Sequence, residues 1–271
     1  MVKSPQYINW LVDTGQRLTS ADGKEIEVWE FHHQKDDIVL SEWATHFRNH
    51  YCLDSEIDEL ISGTGKTKSQ YLNAIKFPDQ SKTPGPSIRS GDFAEILIAD
   101  FLEYLCNYWV PRLRYIDKAI RNESTKGSDI IGFKISSLQG YSQDDEMIIF
   151  EVKASLTDTE SNRLQDAVND SNKDEIRKAE SLNALKQYFI TRQDEQNKMK
   201  IERFQNIVDY PYKEKSGAAA VLENSTADNT ILSTTDTTDH YNRDCLSLII
   251  VRGEAMMLLV HDLYRRAADE A

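Results

Sequence analysis

The chain has 271 residues, 45 of them acidic against 32 basic, for a net charge of −13, and 39% of it is apolar. That supports one large domain or two unequal ones with a proper core. An isoelectric point near 5.0 argues against a stand-alone nucleic-acid binder, which normally presents a basic face. Any polymer this protein works on must be held by a local basic patch, by metal ions or by a second protein. Cys52, Cys106 and Cys245 are scattered, with no pair at metal-ligand spacing, so neither a disulfide framework nor a Cys-based zinc site is expected. Met1 to Gln6 carries no apolar signal core, and no stretch approaches the ~18 apolar residues of a membrane span. A cytoplasmic protein is expected.

In chain order, the first element is a strand over Lys24–Phe31, with Ile26 and Val28 facing one way. Ser41 predicts an N-cap for a helix over Glu42–Tyr51, and a short acidic helix follows over Ser55–Ile61. Pro78 to Pro86 holds three of the six prolines, which cannot continue a helix or donate in a sheet. The main boundary is placed there, dividing an N-terminal extension (1–85) from a core (86–271). A helix apolar nearly all round, about Asp92–Trp109, is a core helix. Three extended stretches follow, Leu113–Ile120, Asp129–Ile135 and Met147–Ala154, the last two joined by a polar loop that predicts antiparallel pairing. Helical spacing then runs over Ser161–Tyr188, with a break near Asn169–Asn172, and again over Gln196–Val208. Glu223–Asp239, which lacks Lys and Arg, reads as an exposed loop. Cys245–Val251 and Ala255–Val260 read as strands before a short polar helix. The order is that of an α/β fold.

Several motifs fail on inspection. Gly63-Thr64-Gly65-Lys66-Thr67 looks like the end of a P-loop, but Leu60 stands where the first glycine is needed and a helix precedes it. A solvated helix end is the better reading. His46 and His50 are spaced as two zinc ligands on one helix face would be. Phe47, however, stands where a zinc protease carries glutamate, and ordinary histidines are the better reading. No Gly-x-Ser-x-Gly elbow occurs.

What survives is Gly127-Ser128-Asp129-Ile130-Ile131-Gly132-Phe133 followed by Ile148-Ile149-Phe150-Glu151-Val152-Lys153-Ala154. Side chains alternate along a strand, so Glu151 and Lys153 project from one face directly after an apolar run. If the two strands pair, Asp129 lies across from the end of the second, although a one-residue slip would turn it away. Two carboxylates and a lysine so arranged suit a Mg²⁺ or Mn²⁺ site, with Asp129 and Glu151 as oxygen ligands and Lys153 steadying an attacking water. Phosphodiester hydrolysis is the reaction this chemistry suits best. A surface Glu–Lys cross-strand pair remains the alternative at this point. Glu95, in the core helix, is a fourth candidate, and a solvent-facing stripe of Asp92, Glu95 and Glu103 explains it as well. Arg112, Arg114, Lys118, Arg121 and Lys126 make the adjoining stretch net positive, a place to look for DNA or simply a solvated strand edge.

A Glu-bearing core helix, then Asp, a spacer and Glu-x-Lys resembles the restriction-endonuclease-like PD-(D/E)XK nuclease core, with Glu95, Asp129, Glu151 and Lys153 at the matching positions and Ser128 where the family name carries proline. Gly91-Asp92-Phe93-Ala94-Glu95, Phe150-Glu151-Val152-Lys153-Ala154-Ser155 and Leu164-Gln165-Asp166-Ala167 together resemble the HamA family, the nuclease subunit of Hachiman antiphage defence systems. The resemblance spans roughly residues 86–189. It implies a central mixed sheet flanked by helices, a Mg²⁺-dependent deoxyribonuclease, and a superfamily 2 helicase partner, HamB, that restrains the nuclease and supplies a basic DNA channel. A non-catalytic adaptor of a helicase, and a sequence-specific restriction or repair nuclease of the same fold, are the rival expectations.

Overall fold

The computed structural model describes residues 4–271 except 117, 119, 124–126, 138–139 and 158–160. Six strands, β1 (Leu11–Thr19), β2 (Glu25–Phe31), β3 (Ile130–Lys134), β4 (Glu146–Ser155), β5 (Lys213–Glu223) and β6 (Leu246–Gly253), form one sheet in the order 1-2-6-5-4-3. The outer pairs, β1·β2 and β3·β4, are antiparallel, whereas β2·β6, β6·β5 and β5·β4 are parallel. The sheet is therefore mixed, as expected. The helices are, in chain order, α1 (Asp37–Asn49), α2 (Ile57–Ile61), α3 (Lys68–Tyr71), α4 (Gly85–Asp100), α5 (Arg163–Ser171), α6 (Asp174–Thr191), α7 (Glu195–Glu202), α8 (Asn229–Leu232) and α9 (Met256–Asp269).

The sheet separates two packed layers. On one side Trp43 and Phe47 of α1, Phe93 and Leu97 of α4 and Leu263 and Tyr264 of α9 meet Phe150, Val221 and Val251. On the other, Leu164 and Val168 of α5 meet Ala218, Leu248 and Ile250, and further along Leu182 and Phe189 of α6 meet Ile131, Phe133 and Ile149. Strand alternation produces this division: Ile148, Phe150 and Val152 of β4 face the first layer, Met147 and Ile149 the second. The parallel centre is covered on both faces, which is why β5 and β6 are apolar without alternation. Gly217 in β5 is there for space, since a Cβ would lie 2.2 Å from the Phe150 ring. Gly217→Ala is expected to destabilise the protein by about 1–3 kcal/mol through overpacking, read as a lower urea midpoint at unchanged slope.

Several expected elements differ from what forms. The strand β1 was not legible, because only Leu11, at one end, is buried and no apolar alternation runs along it. The core helix begins earlier, at Gly85, since Pro86 sits in its first turn, where proline is tolerated. It passes into a π-helical turn at Phe101–Leu105. The proline-rich stretch before it is no seam in the packing, for β2 pairs with β6 and Tyr7, Trp43, Phe47 and Phe77 share one core with Phe93 and Phe150. Residues before 86 extend the sheet. In α1 the cap is Asp36, whose carboxylate accepts from the Ile38 and Val39 amides, so the helix starts before Ser41. No strand forms among the described residues of 113–120, where residues 114–116 are a turn. The apolar run 255–260 is not extended, for α9 starts at Met256 with Ala255 as its cap. Short apolar runs look alike in either state, and Glu223 at the end of β5 decides by accepting from the Ala255 and Met256 amides, both at 2.8 Å. The segment 223–239 is not a free loop either, because Thr235 and Thr237 are buried and Asn162 and Asp22 hold it.

Candidate active site

The pairing of β3 with β4 sets the register on which everything else depends. Ile130 lies opposite Phe150, and one step outward Asp129 falls at the position facing Glu151. One Asp129 oxygen accepts from the Val152 amide at 3.0 Å, tying the loop before β3 to β4. Lys153 follows on the same face, its Nζ 3.8 Å from Glu151 and 2.5 Å from Asp170 at the end of α5. The structure thus brings Asp129, Glu151 and Lys153 together. Glu95 joins them through Arg114, whose guanidinium lies 2.6 Å from Glu95 and 2.6 Å from the other Asp129 oxygen. A hydrogen bond from the Tyr115 hydroxyl also reaches Glu95.

The solvent-stripe reading of α4 does not survive. Asp92 is buried, taking hydrogen bonds from Tyr51 at 2.8 Å and Lys118 at 3.1 Å. Glu95 pairs with Arg114, and Glu103 with Arg112 at 2.5 Å. The stretch after α4 doubles back along the helix and matches its cations to the helix's acids in reverse order. Arg112 also reaches Asp100 at 2.8 Å, and Arg121 pairs with Asp79 at 2.9 Å. Each of these four proposed DNA contacts therefore has an internal carboxylate partner. Lys126 lies outside the described residues.

Residues that sequence reasoning did not single out complete the cluster. Asp174, at the start of α6, accepts from Ser128 at 2.7 Å, and Arg177 one turn on comes within 3.4 Å of Glu151. Lys173 pairs with Asp170. The hint in the chain was the break near Asn169–Asn172, within the helical stretch that follows the Glu-x-Lys strand. Five carboxyl groups, Glu95, Asp129, Glu151, Asp170 and Asp174, gather around four cations, Arg114, Lys153, Lys173 and Arg177. A cavity of about 340 Å³ opens beside them, walled in part by Glu95, Arg114, Asp129, Leu185 and Tyr188.

Crowded acids hold protons. Burial, then the facing Asp129 charge, pushes the Glu151 carboxyl well above its ordinary value. Burial and Asp129 also raise Glu95, against the pull of Arg114. Burial lifts Asp174 to about 6 despite its bond from Ser128. Burial works against the charge on Lys153, yet its ammonium is held upward by Asp170, Asp129 and Glu151. Oxygen donors in excess over cations, with one acid kept protonated, fit a hard divalent ion such as Mg²⁺.

This arrangement carries a pH signature. A carboxyl raised in the folded state binds its proton more tightly folded than unfolded, so stability falls as pH climbs from the ordinary glutamate value of 4.5 toward the raised one. Without metal, wild type is expected to lose stability over that window relative to Glu151→Gln, because the amide has no proton to lose. A Mg²⁺ ion held by Glu151 would require the deprotonated form, so any stabilisation from added Mg²⁺ should grow with pH across the same window. Urea melts of both chains against pH, with and without Mg²⁺, check this. Parallel curves would contradict it.

Among the described residues no helix is long and apolar enough to cross a membrane. No match is found among curated proteins or solved structures. The family comparison is decisive where those are silent: the HamA model matches residues 5–267, nearly the whole chain, which therefore belongs to the HamA family, a subunit of Hachiman antiphage defence.

Proposed function

We propose that this protein is a metal-dependent deoxyribonuclease with a restriction-endonuclease-like catalytic centre, acting in antiphage defence under the control of a superfamily 2 helicase partner. The observation that carries the reading is the register of β3 on β4, with Asp129 at the position facing Glu151 and Lys153 beside both. Asp129 and Glu151 would hold Mg²⁺ or Mn²⁺, whose chemistry there is to polarise a phosphodiester and acidify a bound water. Lys153, its ammonium held between Asp170 and Glu151, would supply the positive charge that steadies an attacking water. Arg114 bridges Asp129 and Glu95 and offsets both charges, and Glu95 acts as a supporting acid at the cavity wall.

The partner answers the charge problem. A chain at −13 whose Arg112, Arg114, Lys118 and Arg121 are ion-paired internally has little to offer a polyanion. A helicase brings its own basic channel and can deliver an unwound strand. One observation favours a second reading, a non-catalytic adaptor: Glu151 is only 2% exposed and Arg114 already occupies Asp129. The test is incubation of the purified complex with DNA, ATP and Mg²⁺, with and without EDTA. New strand ends that vanish with EDTA support the nuclease. No new ends under any condition supports the adaptor, and discrete fragments point to a sequence-specific enzyme.

A further inference from the structure

We propose that His46, His50 and Asp100 form a binding site for one Zn²⁺ ion, separate from the carboxylate cluster. The two histidines lie one turn apart on α1, and Asp100 ends α4. One ligand atom from each falls within 4.8 Å of the others. His46 Nε2 is 3.0 Å from Asp100 Oδ1 and 3.3 Å from His50 Nε2. Donors bonded tetrahedrally to zinc stand about 3.3 Å apart, so a small closure of His50 toward Asp100 completes the tripod. Two ring nitrogens and one carboxylate oxygen thus converge on one small volume.

The surroundings are those of a ligand set held in place. Asp100 has no exposed surface, and His50 has 5%. Tyr7 donates to the second Asp100 oxygen at 2.9 Å, the kind of outer hydrogen bond that orients a ligating carboxylate. Arg112 divides its positive charge between Asp100 Oδ1, at 2.8 Å, and Glu103, at 2.5 Å, so a bound ion would have to share Oδ1 with it. The Tyr7 and Tyr104 rings flank His46 at 5.9 Å and 6.3 Å, and the cavity that His50 and Arg112 line adjoins the group. That cavity can supply a water as fourth ligand. Two imidazoles and one carboxylate suit zinc and not Mg²⁺, which takes oxygen. An ion there would clamp α1 to the end of α4 and fix Arg112 in the wall it shares with Asp129.

The metal-stripped full chain, titrated with ZnCl₂, is expected to take up one Zn²⁺ and to melt at a higher temperature, by an amount that grows with the logarithm of free zinc. Co²⁺ in place of zinc should give the visible absorption of imidazole-bound cobalt, a readout needing no variant. His50→Asn and the milder His46→Gln, whose side chain already reaches solvent, should each weaken zinc binding at least about tenfold. Circular dichroism checks that both fold, and Glu151→Gln should bind zinc as wild type does. Absence of zinc uptake and of cobalt bands in wild type, or uptake unchanged in both histidine variants, overturns the site. These outcomes do not depend on whether the protein cuts DNA.

Discussion

A Glu151→Gln chain, purified with its partner, is expected to cut DNA at least about 10²–10³-fold more slowly than wild type, the usual loss when one preorganised charge at a reacting centre is removed. The substitution keeps the shape of the side chain and deletes only the ability to become an anion. Glu151 is buried and raised toward its protonated form, so glutamine in its place should leave the fold as stable or more so in the absence of metal. Loss of cleavage with unchanged melting would therefore be a statement about chemistry. Lys153→Ala should act similarly, at some additional cost because Asp170 would keep Lys173 alone as partner. Undiminished cutting by both chains would end the nuclease assignment. Retention of helicase binding by both separates this result from a failure to assemble.

Arg114→Met should be the most destabilising single change around the site, by about 3–5 kcal/mol, because it strands two nearly buried carboxylates at once. The guanidinium meets Glu95 and Asp129 and donates to the Ser128 carbonyl at 2.6 Å, with its own side chain 14% exposed. Methionine fills a similar volume without a charge. Two remedies should shrink the deficit: lowering the pH, which protonates Glu95, and adding Mg²⁺, which replaces the missing positive charge. Urea unfolding at neutral and acidic pH, with and without Mg²⁺, measures both. A loss under about 1 kcal/mol, insensitive to either remedy, would mark Arg114 as an ordinary surface cation and return it to the list of DNA contacts.

The catalytic candidates were legible because each carries a local signature. Glu151 and Lys153 alternate on a strand whose apolar run announces burial, and the polar connection before Glu146 predicts the hairpin that brings Asp129 opposite. Register was the missing quantity, since a slip of one residue leaves the pattern intact and the site dismantled. Arg114 was harder. Its charge was visible, yet its role was read as contact with DNA when its partner was an acid on a helix that precedes it by some twenty residues. His46 and His50 show the same limit: their spacing gave a helix face, and only Asp100 from another helix makes that face a candidate ligand set.

By itself the sequence determined which chemistry is available: an acid, a second acid and a lysine on extended segments, an acidic surplus that calls for a cation, and a core helix bearing Glu95. Those follow from residue type and from periods of two and 3.6, which are local properties of a chain. The tertiary structure alone decided how the charges are spent. Asp92, Glu95 and Glu103 meet Lys118, Arg114 and Arg112 only because the chain reverses along α4. Met256–Val260 opens a helix whose first amides are capped by a glutamate at the end of another strand, Glu223 of β5. Pairing between distant segments rewards burial and charge neutralisation that no window of sequence contains, so the same residues that read as a solvated edge become the inner wall of the site.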